Sequence, residues 1–570
     1  MGVHDEKHAG AVGEKTADTN SDSAPTYERG EHVGVVDFAN DEDYNALSFW
    51  GRMGLTPSSF KRREVTDANQ HNKLNQNMKP RHLHMIAIGG SIGAGLFVGT
   101  GDALATGGPA SLVIDYMIIG VMMFNVVFAL GEMALMYPVS GGFYIYVSRF
   151  VDPSWGFAMG WNYCLQWITI LPFEVVVASF TVDYWTQGSI SPAVFITIFL
   201  VALVVINTFG GLGYAEEEFW SSFLKLTAII TFLVIGLICV CGGGPESGDF
   251  DTYQGAKLWY EPGAFNNGFK GFCSVFVTAA FAFSGTELVG LAAAESATPL
   301  QTLPSACKQV FWRVTLFYIL SLFFVGLLVR FDDPNLIGNM DFANSQGVAL
   351  RPCRQICPHC RIRPLHQRRH HGLRHLHRRT MPPKIFAYVD RAGRPLFSTI
   401  LILVFGCLAY AGVDPKSAKD LFDWLLALSG LAALFTWGSI CLAHIRFRAA
   451  WARQGHTLDE IPFKAAFGVV GSYIGLGMAI LVFIAQTYVA ISPVGEDLNT
   501  ATGFFQAMLA LFVVLFSWAV GYIWKRPKFL SLDDVDLDTG RREIDWEMHR
   551  AIEDKKKNAG AFMRVIYFLF

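Results

Sequence analysis

Four glycines fall within seven residues in Gly89-Gly90-Ser91-Ile92-Gly93-Ala94-Gly95, inside an otherwise apolar stretch. Each costs a helix about 1 kcal/mol relative to alanine, so an unbroken helix through this run is unfavourable. Two uses of such glycines compete. One is close packing against a neighbouring membrane helix. The other is a helix broken inside the bilayer, where bare amides and the start of the next half-helix receive an anion such as a carboxylate. Glycine lets that anion come close. The run alone leaves both uses open, and a second interruption favours binding. Phe281-Ala282-Phe283-Ser284-Gly285-Thr286-Glu287 places a small polar cluster and a carboxyl inside another apolar stretch. An ionisable group in hydrocarbon is a functional candidate by default, and Glu287 is one that can carry a proton. Its competing reading is a helix end facing the cytosol, since Glu295 follows eight residues later. Glu132 (ALGEMA) and Glu174 (LPFEVV) are further membrane carboxyls. Glu132 lies near the inner end of its span, where a structural role is equally open; Glu174 is expected to face the bundle and pair with a backbone donor.

These residues require a membrane around them. Of 570 residues, 52% are apolar and only 16% charged, against roughly 25% charged in soluble domains. The charges gather at the two ends and in short islands. That pattern excludes a soluble enzyme, a nucleic-acid binder and a disordered scaffold. Crossing a hydrocarbon core of about 30 Å takes roughly 20 apolar helical residues. On that measure spans are predicted at 85–104, 112–136, 157–179, 194–209, 222–241, 271–293, 310–329, 396–411, 421–443, 467–491 and 504–522. Broken first and sixth spans, five apart in order, point to a transporter of inverted five-helix repeats. Cys164, Cys239, Cys241, Cys273, Cys307, Cys407 and Cys441 lie in or beside these runs and read as small buried hydrophobes rather than disulfides. Residues 1–78 read as a disordered tail without a cleavable signal peptide, 79–524 as the transmembrane unit and 525–570 as a second tail.

Lys61, Arg62, Arg63, Lys73, Lys79 and Arg81 precede the first span, and Lys525, Arg526 and Lys528 follow the last. The positive-inside bias therefore predicts both termini in the cytosol. Two cytosolic termini need an even number of crossings, and eleven is one too few. The place of the missing crossing holds residues 351–380, with nine Arg, six His and no Asp or Glu. Each central Arg costs at least about 2.5 kcal/mol to insert, so this run does not cross. Three explanations compete: a zinc site on Cys353, Cys357 and Cys360 with nearby His, a basic loop particular to this lineage, and an apolar helix read out of frame. The cysteine spacing fits no paired-ligand zinc framework, so no metal site is expected. The frame-shifted helix is the reading favoured here.

The runs RHLHMIAIGGSIGAGLFVGTG, GGPASLV, ALGEMA, PVSGGF, NTFGGLGYAEEEFW, CSVFVTAAFAFSGTELVGLAAAES, KQVFWRVTLFYILSL, FDWLLALSGLAALFTWGSICLAHIRFR and DTGRREID resemble fungal amino acid permeases of the amino acid–polyamine–organocation superfamily. The likeness runs from about residue 79 to 542 and is greatest to the general amino acid permeases. It implies an all-α membrane protein of twelve helices, with two inverted five-helix repeats, broken helices 1 and 6, and two further helices. It also implies proton-coupled uptake of L-amino acids across the plasma membrane, with the proton as coupling ion and no cofactor. By motif, Ser91, Gly93, Ala94 and Gly95 would receive the substrate carboxylate. Carbonyls of Phe281, Ala282 and Ser284 would face its ammonium, with Phe283 in the same pocket. Phe281 would close over the substrate and Glu287 would couple the proton. The aromatic lid follows from the resemblance alone. The sequence departs from the family at 351–380, in place of helix 8, and at its Tyr567-Phe568-Leu569-Phe570 end, where members commonly finish in an aromatic-Cys pair. Lys7 and Lys15 in the amino-terminal tail are implied ubiquitin acceptors, making a ubiquitin ligase a partner beside amino acids, protons and membrane lipids. A transport-deficient sensor or an inactive permease is the alternative reading.

Overall fold

The computed structural model describes residues 92–336 and 396–558, apart from 139–141, 289–298 and short interruptions elsewhere. Ser91, Lys7, Lys15 and the 351–380 run with Cys353, Cys357 and Cys360 lie outside the described residues. Every regular element among the described residues is helical.

The first predicted span enters at Ile92-Gly93 without helical structure, forms a single turn, α1 (Ala94–Phe97), and passes at Val98 into α2 (Gly99–Met136). α2 joins the end of that span to the whole of the second. At Gly108 its backbone leaves the helix (φ 82°), a conformation open to glycine, and Pro109 starts the next stretch. Residues 264–266 bridge this kink: Ala110 N donates to Ala264 O (2.8 Å), and Asn266 N to Gly107 O (3.0 Å). A short α3 (Phe143–Phe150) leads to α4 (Pro153–Thr186), whose first amides, Ser154 N and Trp155 N, are received by the Asp152 carboxylate (2.7 and 2.8 Å). α5 (Pro192–Thr208) and α6 (Gly210–Val240) follow, then the single turn α7 (Lys257–Tyr260) and α8 (Gly268–Phe283). α9 (Pro299–Arg313) continues through a π-helical turn, Val314–Ile319, into α10 (Leu320–Leu328). After 396 come α11 (Leu396–Gly406), a 3₁₀ turn at Cys407–Gly412, α12 (Pro415–Arg453) and α13 (Gly468–Ile491). The chain then forms α14 (Ala501–Ala507) and α15 (Leu509–Lys525).

Apolar helix occupies the described part of each predicted span, the first being described only from 92 and the sixth only to 288. Among the described residues six helices are long and apolar enough to cross a bilayer, a bent pair makes a seventh, and three shorter apolar helices accompany them. Two details differ from expectation. The last span bends by 68° between α14 and α15, and α12 runs to Arg453, well beyond the expected end at 443. α2 and α8 lie against each other at the centre, with α12 and α13 beside them. Towards the outside, Ile198 and Val201 of α5, Phe223 and Val234 of α6, Leu481 of α13 and Phe516 of α15 are all exposed. An apolar belt of this extent would be a liability in water and is matched to lipid.

Residues 530–542, expected to belong to a tail, instead lie across the helix ends around Met136. Val535 and Leu537 are buried. Tyr137 Oη donates to Leu537 O (2.8 Å), Gln454 Nε2 to Val535 O (2.8 Å) and Arg542 N to Met136 O (2.8 Å). Arg446 bridges Phe150 O and Leu530 O. Arg541 lies over the Trp451 ring (4.7 Å to its centroid) and pairs with Glu460 (2.8 Å) in the loop after α12. The hydrogen bond from Arg541, then that from Thr457 N, holds the Glu460 carboxyl down at about 2. A depressed folded value means that this pairing supports the strap above the ordinary glutamate value of about 4.3 and is lost as pH falls through the folded value. Amide protection in 530–542 should therefore be constant from neutral to mildly acidic pH and weaken only in strong acid. Leu537→Asp buries a charge and should remove that protection at neutral pH, as measured by hydrogen exchange.

Candidate functional site

The two interruptions meet. A Cβ added to Gly95 would fall on the backbone of Ala282, 2.8 Å from its nitrogen. In the first break, the amides of Leu96 and Phe97 turn back onto Gly93 O (3.1 and 3.3 Å). In the second, α8 ends at Phe283, and Ser284 is extended (φ −55°, ψ 137°). Gly285 follows with φ 88°, a value that disfavours any side chain. Ser284 N donates to Phe281 O (3.0 Å) and Thr286 N to Phe283 O (3.2 Å), so the carbonyls at the end of α8 are partly engaged within the turn. Ala282 O receives the Tyr318 hydroxyl (3.0 Å). Tyr318 sits in the π-helical turn, an irregularity often found at functional sites. Tyr116 Oη reaches Gly95 O (3.5 Å), and its ring meets Phe283 and Tyr318, which stack at 4.4 Å. A tyrosine from each neighbouring element thus fastens one broken span.

Glu287 lies inside the second turn and is 1% exposed. Its oxygens accept from Gly285 N (3.1 and 3.3 Å), Tyr163 Oη (3.4 Å) and Trp437 Nε1 (3.3 Å). Tyr163 comes from α4 and Trp437 from α12, so this carboxyl ties the broken span to two continuous helices. Beside it, Gln166 Nε2 donates to Ser284 Oγ (2.8 Å). The competing reading of Glu287 as a cytosol-facing helix end does not fit this burial among donors.

Phe281 is still helical, and its ring meets Phe173 edge-on at 4.8 Å, with Phe173 stacked on Phe422 at 4.7 Å. The ring is therefore packed against Phe173 of α4, which in turn meets Phe422 of α12. Ala282 and Phe283 are both buried. Glu174 does come to the first break: a Cβ on Gly93 would lie 3.7 Å from its Oε1. Ala94 opens α1. Glu132 is elsewhere, at the Met136 end of α2. It is fully buried and receives Arg448 Nη2 (2.8 Å) and Ala465 N (2.7 Å). His444 Nε2 stands 3.1 Å from its Oε1, and His444 Nδ1 is 2.7 Å from Ser472 Oγ. With this set of partners Glu132 is a structural tie between α2, α12 and α13. Sequence reasoning missed Tyr116, Tyr163, Gln166, Tyr318 and Trp437. Each is a polar tip on a bulky or amide side chain inside an apolar span, a type equally common in plain cores.

A family model described as "Amino acid permease" matches residues 82–350 and 373–533. It omits 351–372, most of the Arg/His run. Amino-acid permease inda1 of Hypocrea atroviridis is 52% identical over 544 residues, covering 92% of this chain and 94% of that relative. General amino-acid permease GAP1 of Saccharomyces cerevisiae is 46% identical over 528 residues, covering 87% and 85%. General amino-acid permease GAP2 of Candida albicans is 43% identical over 514 residues, covering 87% and 86%.

Proposed function

The chain belongs to the amino acid permease family, and from that premise we propose that it is a multi-pass plasma-membrane carrier taking up L-amino acids of several kinds together with protons. Amino acid transport follows from the family. The observation that supports the finer reading is the meeting of two broken spans at Gly95 and Ala282, with the buried carboxyl Glu287 in the second break. The first break offers backbone to a carboxylate at Gly93, Ala94 and Gly95; Ser91 and the ammonium-facing carbonyls complete the proposed cradle. Glu287 is placed to take a proton as the substrate binds, so that both ligands stabilise one state.

The test is uptake of labelled amino acids in cells lacking their own permeases, with each common amino acid as competitor and external pH varied. Accumulation that many amino acids suppress, and that collapses with the proton gradient, supports the reading. Binding without accumulation would instead favour a sensor. Accumulation indifferent to pH and to uncouplers would refute proton coupling.

Lys7 and Lys15 are proposed ubiquitin acceptors that mark the carrier for internalisation. Changing both to Arg should keep the protein at the surface after an amino acid pulse, as followed by surface labelling. Unchanged internalisation would remove that role.

A further inference from the structure

Asp115 is fully buried in α2, and among the described residues neither of its carboxyl oxygens has a hydrogen-bond partner. Ser111, one helical turn earlier on the same side, is also fully buried with its hydroxyl unpartnered among the described residues. Among the described residues no compensating charge is paired with Asp115. Cys273 of α8 is the ionisable group that interacts with it from across the seam, besides its neighbour Tyr116. Lys270 of α8 is turned away to Glu496 O (3.0 Å). Tyr473 and Tyr488 of α13 are exposed. His444 and Arg448 of α12 meet Glu132, and Arg446 holds Leu530 O. An ionised carboxylate without donors in such a place costs several kcal/mol, whereas the neutral acid costs far less.

We propose that Asp115 is a second proton-binding site of this carrier, separate from Glu287, and that it holds a proton while the seam between α2 and α8 is closed. The position suits a proton arriving from outside. Asp115 lies seven residues, or about 10 Å of helix, from the Gly108 kink, near the end of the second predicted span that the charge pattern assigns to the exterior. Residues 264–267 cover that end: besides the backbone bonds at the kink, Asn266 Nδ2 reaches Ala105 O (2.7 Å) and Asn267 Nδ2 reaches Thr106 O (3.0 Å). The turn bearing Asp115 also bears Tyr116, which touches Gly95 O and Phe283, so it is fastened to both broken spans. A rearrangement of either break must therefore move Asp115 against α8. When water enters, a carboxylate lone pair takes a proton from exterior hydronium, leaving water; when the seam opens the other way, the same O–H bond breaks and the proton passes to a water as hydronium.

The occupancy claim stands on the burial geometry; its use in transport rests on the proton-coupling reading, and the two are tested separately. Infrared spectra of the full-length protein in lipid at neutral pH should contain a neutral-carboxyl stretch that vanishes in Asp115→Asn. Labelling all aspartates with carbon-13 in the unaltered protein should shift the same band, a measurement that needs no variant to fold. A band unaffected by the label overturns the proposal, because Asp115 is then ionised. In transport, Asp115→Asn should lower the number of protons entering per amino acid by one at unchanged KM, with Asp115→Glu restoring it. An unchanged proton count in Asp115→Asn, against a proton-coupled parent, overturns the carrier role. A parent that moves no protons refutes the coupling reading and leaves the infrared result to decide the occupancy of Asp115.

Discussion

Glu287→Gln is expected to abolish uphill accumulation of amino acids completely, while exchange of internal for external substrate persists. The geometry makes this substitution a clean one. Glu287 is 1% exposed and receives Gly285 N, Trp437 Nε1 and Tyr163 Oη. A glutamine can keep its oxygen towards the two N–H donors, Gly285 and Trp437, and turn its amide towards Tyr163. The tyrosine hydroxyl accepts as readily as it donates, so no buried donor is stranded. The variant therefore retains the ties from the second break to α4 and α12 but cannot exchange a proton. A carrier fixed in the protonated form can still cycle when loaded with substrate, which is exchange. It loses the differential stability through which a gradient drives net uptake. Uptake against a gradient, exchange from preloaded cells and surface abundance are measured together. If the variant concentrates amino acids like its parent, with the same dependence on external pH, Glu287 is not the coupling group.

Both breaks were legible in the sequence because glycine and small polar residues interrupt otherwise apolar runs, and that conflict is local. The apolar helices were legible for the same kind of reason: length and apolarity are properties of a segment. What surrounds Glu287 was not. Tyr163 and Trp437 stand 274 residues apart, and nothing in either span distinguishes a tyrosine that reaches a carboxylate from one that only packs. The bend between α14 and α15 at Met508 carries neither glycine nor proline as a signal. The strap at 530–542 carried a weak one, the alternation Asp534-Val535-Asp536-Leu537-Asp538, in which every apolar residue proves to be buried. Its Asp536 and Asp533 are paired with Arg149 and Arg453, and its own Arg541 pairs with Glu460. Asp115 was legible by the rule that singled out Glu287, being a carboxyl inside an apolar span, but it lacks the polar cluster that drew attention to the other.

The two glycines of the first break separate packing from binding. Both uses were open on the sequence, and at Gly95 the missing side chain is required by packing whatever its backbone binds: its α-carbon faces Ala282 so closely that any Cβ overlaps backbone. Gly95→Val should therefore eliminate uptake, because the broken spans can no longer meet. Overpacking of this kind typically costs about 1–3 kcal/mol, and here it presses on main chain that cannot rotate away. Loss of function in this variant, even with normal surface abundance, says nothing about carboxylate binding. Gly93 is the informative position. A methyl there stands at ordinary contact distance, 3.7 Å from Glu174 Oε1, so Gly93→Ala fits the closed structure without displacing it. If the backbone around Gly93 receives the substrate carboxylate, that methyl occupies the approach and should raise KM strongly at unchanged thermal stability. Amino acid esters, which lack the charged carboxylate, should then compete equally poorly with parent and variant. A Gly93→Ala protein with the parent's KM would leave this glycine run with a packing role alone.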